Sequence, residues 1–219
     1  MLVQLANVAH FYNSRLIFKD VSLAFGAGEV SLLTGANGAG KSTLLKIIAG
    51  LVKPSNGSVA LKDDLTIGMV GHKSFLYPAM TALENLRFWA EIHGRSFSDK
   101  ETLAALERVN LAPFCDEKAG TFSRGMAQRL SLARVFLLSP DLLLLDEPGT
   151  GLDTQSSDTL YGEIADARTR GASVVWISHA IAADTKRADR VIHISDRLVT
   201  VSTPDGKAVP GDCGMGVGL

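Results

Sequence analysis

The 219-residue sequence predicts an α/β protein with a mainly parallel sheet, a small antiparallel β flank and an inserted helical subdomain. Three observations predict it. Short apolar runs at residues 30–33, 142–145 and 173–178 are separated by helical patterns, as buried parallel strands are. Residues 21–25 instead alternate apolar and polar, the mark of a half-buried strand near the N-terminus. From about residue 75 to 138 the pattern is helical.

Taken in order, residues 1–34 read as strands, with a turn at Gly26-Ala27-Gly28. The run at 30–33 enters a glycine-rich loop at Gly35. Residues 41–50 read as a helix that buries Leu44, Leu45, Ile47 and Ile48 and closes at Gly50. A turn at 54–57 precedes strands near 58–62 and 66–70. Thr81 and Glu84 have the Thr-x-x-Glu spacing of a capping box, just ahead of Leu86, Phe88 and Trp89. Helices follow around 99–109 and 123–138. A helix over about 154–170 joins the strands at 142–145 and 173–178, and such a crossover pairs strands in parallel. One domain is expected over residues 1–202, with the helical subdomain at about 75–138. From Thr203 five of the last 17 residues are Gly, with Pro204 and Pro210 among them. Residues 203–219 are therefore expected to be a flexible tail outside the core.

Composition narrows the function. Hydrophobic residues are 46% of the chain, enough for a core, and the net charge is −1. That balance argues against a nucleic-acid binder relying on a broad basic field and leaves a local patch open. Cys115 and Cys213 lack metal spacing and read as plain thiols. No apolar run approaches the ~20 residues that cross a bilayer. The first residues lack a basic region followed by a long apolar core, so no signal peptide is read. The expectation is a cytoplasmic protein whose membrane contact, if any, comes through a partner.

Gly35-Ala36-Asn37-Gly38-Ala39-Gly40-Lys41-Ser42 fits the phosphate-loop pattern G-x-x-x-x-G-K-[ST] and lies between a predicted strand and a predicted helix. Glycines let backbone N–H groups converge on an anion, and the helix N-terminus adds partial positive charge. Lys41 is expected to reach the β- and γ-phosphates, Ser42 to offer its hydroxyl to Mg²⁺, and Thr43 to add a phosphate contact. The run 142–145 ends in Asp146-Glu147. Acids at a strand end are often only solvated. Beside a phosphate loop, Asp146 is expected to hold Mg²⁺ opposite Ser42, and Glu147 to polarise the attacking water as general base.

The remaining motifs point to one family. Phe122-Ser123-Arg124-Gly125-Met126 resembles a degenerate form of the ABC signature Leu-Ser-Gly-Gly-Gln, Gly151-Leu152-Asp153 resembles its D-loop, and His179 resembles its switch histidine. Tyr12, 29 positions before Lys41, resembles the aromatic that stacks on adenine. The resemblance covers about residues 2–200 and implies an ATPase that binds ATP and Mg²⁺. It implies two domains packed head to tail, expected here as a homodimer, with Ser123, Arg124, Gly125 and Met126 facing the other subunit's nucleotide. It also implies that His179 senses the γ-phosphate, that Asp153 carries coupling, and that transmembrane permease subunits hold the ATPase at the cytoplasmic face of the inner membrane. Two departures stand out. His72 occupies the place of the Q-loop glutamine, where an imidazole can accept one hydrogen bond or ligate Mg²⁺ and could make coupling pH-sensitive. Arg124 and Met126 replace Gly and Gln, Arg124 as a candidate phosphate or interface contact and Met126 as packing.

His10, His93 and His193 show no ligand spacing and are expected in surface or core roles. Phe11 is expected in the core. Phe75, Leu76, Tyr77, Phe88 and Trp89 fit either the core of the insertion or a groove for a short helix of the membrane partner. Gly71-His72 and Thr81-Ala-Leu-Glu-Asn-Leu-Arg-Phe-Trp89 resemble the haem exporter ATPase of cytochrome c maturation. Drug, lipid or polysaccharide exporters share similar stretches, and a soluble non-transport ABC protein is the alternative from another class.

Overall fold

Two sheets form because two kinds of strand are present. The computed structural model describes residues 1–71, 74–178 and 180–209. In chain order the elements are β1 (Val3–Tyr12), β2 (Arg15–Phe25), β3 (Val30–Gly35), α1 (Lys41–Ile48), β4 (Asn56–Leu61), β5 (Ile67–Val70), α2 (Ala82–Ile92) and α3 (Asp99–Arg108). Then come α4 (Arg124–Leu137), β6 (Leu142–Asp146), α5 (Thr154–Thr169), β7 (Ser173–Ile177), α6 (Ile181–Asp184), β8 (Arg190–Ser195) and β9 (Leu198–Ser202). The small sheet has the order β2-β1-β4 and is antiparallel. The large sheet has the order β5-β6-β7-β3-β8-β9 and is parallel except for the β8–β9 pair.

Every residue of β6 and β7 is buried, as a sheet covered on both faces requires. Alternation along β6 divides its leucines between two cores. Leu142 and Leu144 pack with Leu44, Leu45 and Ile48 of α1 and with Val3, Leu5 and Phe25 of the small sheet. Leu143 and Leu145 pack with Leu132 and Val135 of α4 and Leu160 and Ile164 of α5. The helical subdomain has its own cluster around Leu86, Leu106, Leu111 and Leu130.

Several boundaries differ from the sequence reading for local reasons. α1 ends at Ile48 because Gly50, at φ 71°, closes it: its N–H reaches Ile47 O and the Leu51 N–H reaches Lys46 O. Phe11 is not in the core. The β1 register shifts on both sides of His10, so His10 takes the buried face and Phe11 is left 38% exposed. Residues 203–209 return along β9, where Val209 N–H bonds Val201 O and Val209 packs on the core. The rest of the expected tail, 210–219, lies outside the described residues.

The capping box closes in both directions. Glu84 N–H donates to Thr81 Oγ1 at 3.1 Å and Thr81 N–H donates to Glu84 Oε2 at 2.8 Å. Ser98 and Glu101 form a second box at the start of α3 that the sequence reading did not single out. Replacing Thr81 with Ala is expected to lower stability by about 1 kcal/mol, measured as the shift in urea unfolding followed by circular dichroism.

Candidate nucleotide site

Parallel strands deliver their C-terminal loops to one edge. Ile177 of β7 is in register with Leu33 of β3 on one side and with Asp146 of β6 on the other. The loops after all three strands therefore open together, where ligands of such sheets bind.

The loop after β3 is shaped by glycines that nothing larger can replace. A Cβ on Gly35 would lie 2.5 Å from Ile194 O, and one on Gly40 would lie 2.5 Å from Ile17 Cγ2. Gly40 also stands at φ 106° as the N-cap of α1, with no side-chain cap on the helix N-terminus. First-turn N–H groups left without an intrahelical partner suit an anion. Lys41 Nζ donates to Gly35 O at 2.8 Å and Ala36 O at 3.1 Å, which keeps the ammonium along the loop.

Tyr12, Asn37, Gly38, Gly40, Lys41, Ser42, Thr43 and Glu147 line one groove of 530 Å³, together with Arg15 and Ile17. Tyr12 is 49% exposed and stands edge-on to the buried His10, with ring centroids 4.8 Å apart. Arg15 and Ile17 were missed in the sequence reading; the hairpin register Tyr12↔Arg15 brings them in. Asp146 and Glu147 diverge. Asp146 ends β6 at 2% exposure, while the backbone at Glu147 turns to φ 55°, a strained value for a non-glycine residue. Glu147 faces the 530 Å³ groove, Asp146 borders an adjoining groove, and Ser42 borders both. A hydroxyl beside a carboxylate is a hard oxygen donor set that fits Mg²⁺. Among the described residues no cluster of three or more His, Cys, Asp or Glu could hold a metal.

The signature residues sit elsewhere in the same chain. Ser123 caps α4, its Oγ accepting the Met126 N–H at 3.2 Å. Met126 packs against the core of the helical subdomain. Arg124 shares a small pocket with Gln128, Thr150 and Glu147, and Gln128 Nε2 donates to Pro148 O at 3.1 Å. A Cβ on Gly125 would lie 3.1 Å from Gly151 O, so the signature helix packs closely on the D-loop. None of Ser123, Arg124, Gly125 and Met126 lines the groove of Lys41 and Tyr12. Asp153 has a cap geometry: Oδ1 accepts the Ser156 N–H at 2.7 Å at the start of α5. That backbone hydrogen bond, foremost, lowers its carboxyl pKa below the usual range. His72 and His179 lie outside the described residues, as does Cys213.

The family model for ABC transporters matches residues 18–150. The chain belongs to the ABC transporter family. It is an ATP-binding subunit of that family, and its fold is the ABC ATPase fold. It is 36% identical over 205 residues to the zinc import ATP-binding protein ZnuC of Photorhabdus laumondii, covering 93% of this chain and 79% of that one. It is 38% identical over 178 residues to the cytochrome c biogenesis ATP-binding export protein CcmA of Gluconobacter oxydans, covering 81% of each. The ATP-binding cassette MJ0796, solved as a dimer in a post-hydrolysis state bound to ADP and Pi, superposes with a TM-score of 0.82 at 29% identity. That match covers 93% of this chain and 99% of the other. ABC ATPase subunits typically dimerise and pair with transmembrane permeases. No helix among the described residues is long and apolar enough to cross a membrane.

This ABC subunit also keeps a large apolar groove between its two subdomains, of 670 Å³, lined by Leu51, Met69, Phe75, Tyr77, Trp89 and Arg134 among others. Arg134, 4% exposed, shapes it. Its guanidinium lies 4.0 Å over the Trp89 ring and donates to Ser74 O at 2.9 Å and Phe75 O at 2.8 Å. Burial lowers its pKa to about 10. An arginine inside an otherwise apolar helix stretch was the available signal for it. The His93 ring lies tilted against Trp89, centroids 4.3 Å apart, and its Nδ1 lies 2.9 Å from Trp89 O, while His193 Nδ1 lies 2.9 Å from Thr34 Oγ1.

The lowered Asp153 pKa gives a pH dependence. The charged cap stabilises α5 fully above the ordinary carboxylate range and loses that contribution as pH falls through the lowered value. Urea midpoints of the native chain are expected to fall more steeply on acidification than those of Asp153→Asn, which caps without titrating.

Proposed function

We propose that this ABC ATPase binds ATP with the adenine on Tyr12 and the phosphates in the loop Gly35–Thr43, and that it works as a homodimer. The observation that carries this reading is the single groove gathering Tyr12, the phosphate loop and Glu147, whose lining includes none of Ser123, Arg124, Gly125 and Met126 of the same chain. A second copy packed head to tail supplies Ser123 and Gly125 to that groove: a hydroxyl and open amides at a helix N-terminus make the second half of an anion clamp. Arg124 adds a cation to that half. Ser42 and Asp146 would hold Mg²⁺, with His72 a further candidate ligand, and a cation held there would supply positive charge against the phosphates.

Glu147 accepts a proton from water as its oxygen attacks the γ-phosphorus. The bond between that phosphorus and the β-bridging oxygen breaks, leaving ADP and phosphate. Lys41 stabilises the charge on the β- and γ-oxygens, and His179 holds the water and Glu147 in line. Asp153 carries the state of one site to the other across the dimer. The apolar groove around Phe75, Tyr77 and Trp89 receives a short helix of the permease, which keeps the subunit on the cytoplasmic face of the inner membrane. Charge balance and motif content give no reason to invoke a nucleic-acid partner.

For the cargo, we favour haem export in cytochrome c maturation. The stretch Thr81–Trp89, Gly71-His72 and the 38% identity to CcmA support it. Zinc import is the second reading, since the identity to ZnuC is 36% over a larger share of the chain.

Glu147→Gln is expected to bind ATP, to shift the chain to a dimer by size-exclusion chromatography, and to cut ATP turnover by at least about a hundredfold. Turnover at the native rate would mean another group activates the water. Cells lacking the gene are expected to lose haem-stained c-type cytochromes and to regain them with the native chain but not with Lys41→Ala. Normal cytochromes together with zinc-dependent growth would favour the second reading.

A further inference from the structure

The end of β7 is fastened by a carboxylate that the proposed chemistry does not use. Glu147 N–H donates to Ile177 O at 3.1 Å. The next residue, Ser178, donates its hydroxyl to Asp184 Oδ2 and accepts the Ala180 N–H at 2.9 Å. Asp184 is 1% exposed, and its own N–H bonds Ala180 O at 3.0 Å. A carboxylate excluded from water is costly to keep unless donors meet it, and the Ser178 hydroxyl meets one of its two oxygens while Oδ1 has no hydrogen-bond partner among the described residues.

The surroundings connect this pair to the candidate site. Asp184, Ser178, Tyr161 and Glu147 line one cavity of 260 Å³. Tyr161 belongs to α5, the helix capped by Asp153, and Arg187 stacks over its ring at 4.1 Å. Burial, and after it the Asp184 carboxylate, push the Tyr161 phenol pKa up. Asp184 thus stands where β7, α6 and α5 meet.

We propose that Asp184 is a positioning residue for ATP hydrolysis. Through Ser178 it fixes the end of β7, and the Ile177 carbonyl then holds the backbone of Glu147 in its left-handed turn. This rests on the reading of Glu147 as the general base. A displacement of the base by about 1 Å can cost roughly a hundredfold in rate, so a loosened anchor acts on chemistry before it acts on binding.

Steady-state hydrolysis and fluorescent-nucleotide binding of the full chain test this. Ser178→Ala and Asp184→Ala are expected to lower kcat by about tenfold, with KM for ATP and nucleotide affinity held within about twofold. Ser178→Thr, which keeps the hydroxyl, is expected to restore kcat. Native kcat in Ser178→Ala, a raised KM at unchanged kcat, or failure of Ser178→Thr to restore kcat would each overturn the proposal. If Asp184→Ala fails to fold, the Ser178 pair still decides. Glu147→Gln separates the two readings: native kcat there removes the general base itself, whereas native kcat in Ser178→Ala beside an inactive Glu147→Gln removes only the anchor.

Discussion

The hydrogen-bonded register across β3, β7 and β6 is the constraint on which the rest depends. Because Ile177 is aligned with both Leu33 and Asp146, three chain segments far apart in sequence reach the same sheet edge at the same level. Strands in a sheet lie about 4.8 Å apart, so β3 and β6 are separated by roughly 10 Å, a gap that a phosphate chain and an ion can span. That alignment needs a sheet dry on both faces. The alternating leucines of β6 provide it by sending Leu142 and Leu144 to one core and Leu143 and Leu145 to the other.

That edge holds unusual backbone in both the loop after β3 and the loop after β6. Gly35 and Gly40 adopt backbone that side chains resist, and Glu147 adopts it without being glycine. The surroundings hold each in place: Ile194 against Gly35, Ile17 and Phe18 against Gly40, and the Ile177 carbonyl on the Glu147 amide. The turn at Glu147 takes that residue out of strand geometry just after Asp146 ends β6. Asp146 stays buried beside Ser42, and Glu147 looks into the groove beside Lys41. The helix α4 is tied to the loop after β6 by the hydrogen bond from Gln128 to Pro148 O.

Where a residue type has one use, the sequence was legible. Apolar runs located β3, β6 and β7, and the glycine pattern located the loop and α1, because few other backbones need glycine at that spacing. Thr81 and Glu84 located the start of α2. Legibility failed where long-range packing decides. Nothing local showed that a bulge would bury His10 and expose Phe11, or that Arg15 would lie beside Tyr12 and Lys41. Asp153 shows the opposite limit: a D-loop aspartate in the motif, it is also the cap of α5, and sequence cannot separate two uses of one carboxylate. The cargo is least legible. Relatives named for zinc import and for cytochrome c biogenesis match this chain at similar identity, 36% and 38%.

Phe75 holds a left-handed backbone at φ 48° with its ring 70% exposed, and Leu51, 68% exposed, faces the same groove. Water gains nothing from covering such rings, so any copy made in excess carries a sticky seam into bulk solvent. Two such copies can hide the seam against each other in arrangements that do no work. Keeping excess copies apart is therefore a question of colloidal stability.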